Sequence, residues 1–297
     1  MNKVTRKIIF FLLRFSLIPF LVRNIVQRKY VTILYYHSIR PRTFSKHIEF
    51  LKSQYNIISL RRFIDAANSS KFVHLPPRSL IITFDDGHKD FHNLSNIIKN
   101  NKIKTTMFLV SGIINTRRHF WYEHNLDISD IIDLKKVKDE ERLYFMKKYD
   151  FSDKKEYNSR QSLTKSEIES MRDFVDFQSH SHTHPILPNC SDEKSHKEIF
   201  ESKRILENEF GLNISSFAYP NGDYSPREHK LVYKAGYECG LTTDSGFNSK
   251  KTDTFRLKRT SMCSTNDLNE IIVRSSGIWE FLKLITGKRV LNCQYYN

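Results

Sequence analysis

Short runs of β-branched and aromatic residues recur along the chain, separated by stretches of helical period. The runs are VTILYYH (31–37), NIISL (56–60), SLIITF (79–84), TTMFLV (105–110), VDFQSH (175–180), SSFAY (215–219), YECGLT (237–242) and FRLKR (255–259). Apolar runs of this length bounded by polar turns read as strands, and their alternation with helices predicts a parallel sheet wrapped by helices. The clearest helix spans 191–210, with Ser191 as N-cap, Glu193 and Glu198 early, and Gly211 just past its end.

Two segments break the rhythm. Residues 113–163 are rich in Lys, Asp and Glu and carry little strand pattern, so they read as an insertion of short helices. Such an insertion is either a charged surface excursion or, through the aromatic opening RRHFWYEH (117–124), a wall of a binding site. The second is IIFFLLRFSLIPFLV (8–22), interrupted by Arg14 and Pro19 and shorter than the roughly 20 residues of a spanning helix. Arg14 inside the run, and no small-residue cleavage site after it, argue against a processed secretory signal.

Charge changes the picture of that N-terminal run. The chain carries 48 Lys and Arg against 33 Asp and Glu, a formal +15. Ten of the basic residues and none of the acidic ones fall within residues 1–48, leaving 38 against 33 in the remainder. On a helical wheel Lys3, Arg6, Lys7, Arg14, Asn24 and Arg28 gather on one side and Phe, Leu and Ile fill the rest. The expectation is a basic amphipathic helix over residues 1–29 lying in the headgroup layer of an anionic membrane, its Lys and Arg meeting lipid phosphates. A short signal anchor and a helix packed on the domain are the alternatives. With the surplus charge beside an apolar run and no helix-turn-helix or zinc-finger pattern, nucleic acid is not an expected partner. Nine glycines form no GxGxxG or GxxxxGK[ST] string, which removes the main support for nucleotide binding. Cys190, Cys239, Cys263 and Cys293 have no CxxC spacing and read as ordinary thiols.

Three strings carry chemistry. TFDDG (83–87) ends a strand with two adjacent carboxylates. Successive strand residues face opposite ways, so Asp85 and Asp86 share a site only if the backbone turns, which Gly87 permits. The other reading is an Asp-rich turn or cap. SHSHTHP (179–185) sets His180, His182 and His184 in alternation, as metal ligands or as solvated loop residues. FAYPNGDYS (217–225) is a sharp turn after a strand, whose free N–H groups could face an oxyanion.

In this order the strings resemble those of the polysaccharide deacetylase family (NodB homology domain, carbohydrate esterase family 4). The resemblance covers about residues 30–275 and includes LTKSEIESM (163–171) and YYHSI (35–39), which look like the exopolysaccharide and surface-glycan branch. It implies a distorted, incomplete TIM-like (β/α) barrel with the site at the C-terminal strand ends, followed by a tail at 276–297. It implies hydrolysis of acetyl groups from N-acetylated sugars of a glycan, with de-O-acetylation or an impaired glycan-binding role as alternatives. Asp86, His180 and His184 would hold a divalent metal, first of all Zn²⁺, with Co²⁺, Ni²⁺, Mn²⁺ or Fe²⁺ open. Asp85 would be the base, and Tyr219, Asn221 and Gly222 would form the substrate and oxyanion side.

The chain departs from the family pattern twice. No late LxH motif follows, so His37 is expected to serve as the acid. Ala218 stands where the resemblance implies an Arg that orients the base; Arg256 or Arg259 in FRLKR could substitute, Arg259 being placed with the substrate and oxyanion residues, and the other reading of both is a surface or ion-paired strand arginine. His182 is left facing solvent or supporting its neighbours.

Overall fold

The computed structural model describes residues 2–69, 72 and 74–286. Eight strands, β1 (Thr32–Tyr36), β2 (Asn56–Ile57), β3 (Ser79–Phe84), β4 (Thr105–Leu109), β5 (Val175–Ser179), β6 (Ser216–Ala218), β7 (Cys239–Leu241) and β8 (Thr260–Ser261), form one sheet. All pair in parallel, in the order β7-β6-β5-β4-β3-β1-β8. β2 pairs with the start of β3, Asn56 opposite Ser79, and β4 takes over at Ile82 opposite Thr105. Leu257 bridges Leu241 of β7 while β8 pairs with β1, so residues 257–261 join the two sheet edges into a barrel.

Strand alternation sorts the core into two layers. Ile33, Ile81, Phe108, Ala218 and Leu241 lie in one buried cluster. Their neighbours Leu34, Ile82 and Met107 lie in another, with Phe44, Ile168, Ile199 and Val232 from the surrounding helices. Those helices are α3 (Pro41–Gln54), α8 (Lys165–Met171), α9 (Asp192–Asn208) and α10 (Pro226–Lys234). α9 begins at Ser191, whose side chain accepts from the Lys194 N–H, and the chain leaves it at Gly211 with φ +60°. α4 (Leu60–Ala67) joins the first cluster through Phe63 and Ile64, and α5 (Ser95–Asn100) joins the second through Ile98.

The sequence pattern misplaces one strand. Residues 254–256 form a single 3₁₀ turn, and the strand follows at Thr260–Ser261. Asp253 caps that turn by accepting from the Phe255 N–H, which diverts the chain before it reaches the sheet. The insertion is not a solvated excursion. Its helices α6 (Ile128–Leu134) and α7 (Asp139–Met146) enclose a small core of their own, including Phe120, Trp121, Ile131, Leu134 and Met146.

The N-terminal segment forms α1 (Lys3–Phe15), α2 (Ile18–Leu21) and a π turn over 22–26. α1 packs against α11 (Leu268–Ser275), and two of its four basic residues, Arg6 and Arg14, turn toward the domain while Lys3 and Lys7 stay exposed. Arg6 reaches Glu270 at 2.6 Å and Arg14 reaches Asn269 at 2.7 Å, so these two are committed to the domain. Residues 278–286, expected within a tail, form α12 (Ile278–Thr286), with Trp279 packed on Phe10. No single helix among the described residues is long and apolar enough to cross a membrane. Cys190 and Cys239 are free and buried, whereas Cys263 is disulfide-bonded, against the expectation of ordinary thiols. Cys293 lies outside the described residues.

Candidate metal centre and active site

The site residues follow the C-terminal ends of four parallel strands: His37 after β1, Asp85 and Asp86 after β3, the histidine loop after β5, and Asn221 and Gly222 after β6. Thr83 and Asp85 share the face of β3 that carries Ile81, so Asp85 continues the inner layer of the barrel. The chain then turns through two left-handed residues, Asp86 (φ 77°) and Gly87 (φ +79°). That turn brings Asp86 beside Asp85, which a continuing strand would forbid. The turn begins at Asp86 itself, one residue earlier than the glycine suggests. Gly87 also lies against Leu109, 2.8 Å from where a Cβ would stand.

Ser181 (φ 65°) and His184 (φ 60°) turn the histidine loop back on itself. His180 Nε2 and His184 Nε2 then face the same oxygen, Asp86 Oδ1, at 3.5 and 3.4 Å. Ligating atoms of the three residues all lie within 4.8 Å of one another. His180 Nδ1 bonds the Ala218 carbonyl at 2.8 Å, so Nδ1 carries the proton and Nε2 offers a lone pair to the site. Both Asp86 carboxylate oxygens and His184 Nδ1 are buried without a hydrogen-bond partner. Buried carboxylate oxygens without partners are costly, and an Asp-His-His set converging on one point has the donor chemistry of a divalent transition-metal site. The residues present therefore fit such an ion.

Glu198 holds this loop from below. Its buried carboxylate accepts from the N–H groups of His182 and Thr183 at 2.9 and 2.6 Å and from the Thr183 hydroxyl at 2.6 Å. His182 turns away from the centre, with Nδ1 3.0 Å from Ser111 Oγ. Gly112 lies directly beneath it, where a Cβ would come within 2.7 Å of the His182 carbonyl.

Electrostatics separate the two aspartates. Burial alone would raise Asp85, but the Arg259 guanidinium together with the His180 and His37 rings lowers the carboxyl on balance. Burial would likewise raise Asp86, and the facing His180 and His88 rings hold it well below the usual range. Burial and the neighbouring His180 push His184 down to about 3, leaving a neutral imidazole. Burial also lowers His37.

The third turn is left-handed at Asn221 (φ 58°) and Gly222 (φ +79°). Gly222 packs on Thr243, whose Oγ1 stands 2.0 Å from any Cβ built there. Asn221 and Gly222 line the pocket with His37, Asp85, His180 and His184. Tyr219 does not. Its ring is fully buried in the core and its hydroxyl donates to the Phe255 carbonyl, so the expectation that it meets substrate is corrected. Arg259 also stays out of the pocket: it lies inside the barrel and bonds Asp85, Thr242 and Thr83. Arg256 instead bonds the Tyr224 hydroxyl at the surface.

The insertion contributes residues that sequence reasoning did not single out. Tyr122 and Lys135 line the pocket. Lys135 Nζ donates to Asn221 Oδ1 at 2.7 Å. Trp121 Nε1 donates to the His184 carbonyl at 2.9 Å, which pins the metal-side loop to the insertion. Glu123 lies 3.3 Å from His88 Nε2, itself 3.4 Å from Asp86. The aromatic opening of the insertion signalled Tyr122. Lys135 had no signal, being one of many lysines in a charged stretch.

The chain is similar in sequence and in fold to several named deacetylases. The staphylococcal poly-beta-1,6-N-acetyl-D-glucosamine N-deacetylase of Staphylococcus epidermidis is 23% identical over 250 residues, 80% of this chain and 72% of its own. YxkH of Bacillus subtilis is 23% identical over 184 residues, and the aligned part of this chain spans only 50% of that protein. Among solved structures, the Streptococcus pyogenes deacetylase PplD in complex with acetate superposes with a TM-score of 0.61 at 20% identity, covering 84% of this chain and 97% of that one. IcaB from Ammonifex degensii gives 0.61 at 16%, covering 84% and 98%. Both likenesses are of fold. The family model for polysaccharide deacetylases matches residues 73–240, more than half of the chain, and the chain belongs to that family. His37 and Arg259 lie outside the matched range.

Proposed function

We propose that this member of the polysaccharide deacetylase family is a metal-dependent hydrolase that removes acetyl groups from N-acetylated sugars of a surface polysaccharide. The observation that carries the reading is that Asp85, bonded to Arg259 at 2.7 Å, lines one pocket with His180 and His184, whose ring nitrogens converge with Asp86 on one point. A polymer of β-1,6-linked N-acetylglucosamine, the substrate named for the staphylococcal relatives, is the first to test.

A divalent ion held by Asp86, His180 and His184, Zn²⁺ being the first choice, would supply Lewis acidity and lower a water's pKa toward about 7. The remaining work falls to the chain. Asp85 is ionised at neutral pH and accepts the proton of the attacking water at its free oxygen, while Arg259 holds the other. The turn at Asn221 and Gly222 faces the acetyl oxygen, with Lys135 beside it adding a positive charge where negative charge develops. His37, which lines the same pocket, would in its protonated form deliver a proton to the leaving nitrogen. Tyr122, which also lines the pocket, offers an apolar ring to the acetyl methyl group.

Acetate release from N-acetylglucosamine oligomers, assayed with the purified chain and a panel of divalent ions, tests the proposal. Asp85→Asn should bind the ion as the unsubstituted chain does and release no acetate. A chain that neither binds an ion nor releases acetate would sink the reading.

A further inference from the structure

We infer that the two ends of the chain together form one membrane-binding face, seated on an anionic lipid bilayer. Docking fixes the rotation of α1. Phe10 is fully buried, 4.6 Å from the Trp279 ring, and Arg6 and Arg14 are tied to α11. The side of α1 that remains is apolar: Val4, Ile8, Phe11, Leu12 and Phe15 are each more than half exposed. The chain bends at Leu17 (φ 61°), and Phe20 and Ile25 beyond the bend are also more than half exposed.

α12 extends this surface from the other end of the sequence. Ile278, Trp279 and Leu282 turn inward against Phe10, Leu13 and Val22. Phe281, Leu284 and Ile285 turn outward at 61%, 64% and 67% exposure. Large apolar side chains at that exposure on adjoining helices exceed what a monomer ordinarily leaves to water.

Charge and length select the occupant. Lys3, Lys7, Arg28 and Lys29 are exposed along the N-terminal segment, and no acid occurs in residues 1–48. A second copy would set like charges against one another, whereas anionic headgroups pair with them. At about 1.5 Å per residue the 13 residues of α1 reach roughly 20 Å, short of a hydrocarbon core of about 30 Å. α1 meets the following helical stretch at 54°, and one side of it is committed to the domain, so it lies along the surface and does not cross.

Flotation of the full chain with vesicles of phosphatidylcholine alone, or with about one-third phosphatidylglycerol, tests the inference. The chain should float strongly only with the anionic vesicles. The triple variants Phe11→Ser/Leu12→Ser/Phe15→Ser and Phe281→Ser/Leu284→Ser/Ile285→Ser should each weaken binding at least tenfold. Lys3→Glu/Lys7→Glu, which disturbs no buried contact, should abolish the preference for anionic lipid. Circular dichroism melts separate loss of binding from loss of fold. If the α12 variant floats as the unsubstituted chain does, the composite face is wrong and α1 acts alone. If the chain is a dimer without lipid and does not float, the face is an interface between copies.

Discussion

Arg259 Nη1 donates to Asp85 Oδ1 at 2.7 Å inside the barrel, with the two side chains 0% and 3% exposed. Arg259 Nε is bonded to the Thr242 carbonyl, and its guanidinium lies 4.7 Å from the Tyr35 ring centre, so the fork is held from three sides. Ala218 stands where the resemblance expects an arginine, and Arg259, just before β8, reaches the Asp85 carboxylate instead. Arg259→Lys keeps the charge but loses the planar fork. It should lower kcat about 10- to 100-fold with KM little changed. Arginine holds the Asp85 pKa down, so in this variant the acid limb of kcat/KM should move to higher pH. Arg259→Met should also cost about 3–5 kcal/mol of stability, because it leaves a buried carboxylate unpaired. Steady-state pH profiles and urea melts read both.

Glu198 touches no substrate and acts through the histidine loop. Glu198→Gln should weaken metal affinity by about 10- to 100-fold while acetate release recovers at saturating ion. Calorimetric titration of the chelator-stripped protein measures the first effect and a metal-dependence curve the second. Unchanged affinity would make Glu198 a packing residue only.

Lys135→Met removes the hydrogen bond to Asn221 and the cation at the pocket wall. Loss of one donor at a developing oxyanion costs on the order of 100-fold in kcat. The variant should lose about that much and retain its melting temperature, and unchanged kcat would remove Lys135 from the mechanism.

Gly222→Ala places a Cβ 2.0 Å from Thr243 Oγ1 at a backbone φ of +79°. The turn must shift, so acetate release should fall below detection even where circular dichroism shows a folded barrel. Gly211→Ala, with open space around its Cβ, should leave activity intact.

His47 governs an acid-sensitive component of stability. Its Nδ1 accepts from the Tyr36 hydroxyl at 2.9 Å and its Nε2–H donates to the Thr265 carbonyl at 2.7 Å, an arrangement for the neutral ring. Burial lowers its pKa from 6.5 to about 4. Below 6.5 the unfolded chain binds a proton that the folded one refuses, so stability present above that pH is lost as pH falls toward about 4. The slope from this group is roughly 1.4 kcal/mol per pH unit. His47→Gln should flatten the melting temperature between those limits, and an unaltered profile would exclude His47 as the cause.

Much of the site was legible because each of its turns is a local event. TFDDG, SHSHTHP and FAYPNGDYS each combine a strand end with residues that accept or permit a left-handed turn, and Asp86, Ser181, His184, Asn221 and Gly222 adopt one. The capping of α9 by Ser191 was legible for the same reason. Strand FRLKR was misread because an apolar and basic alternation satisfies the strand period whether or not the chain reaches a sheet. Asp253 turns residues 254–256 into a 3₁₀ turn, so the chain first touches the sheet at Leu257 and pairs as a strand only at Thr260.

The sequence by itself determined the parallel α/β order, the three strand-end turns and the residues able to hold an ion. These depend on neighbours a few positions apart. The tertiary structure decided which arginine pairs with Asp85, across 174 residues, and which way α1 turns, through Arg6 and Glu270 across 264. It also decided that Lys135, 86 residues from Asn221, belongs to the pocket. Such pairs are chosen by barrel closure and by the packing of the insertion's own core, which bring distant side chains within a few ångströms and leave no periodic trace in the chain.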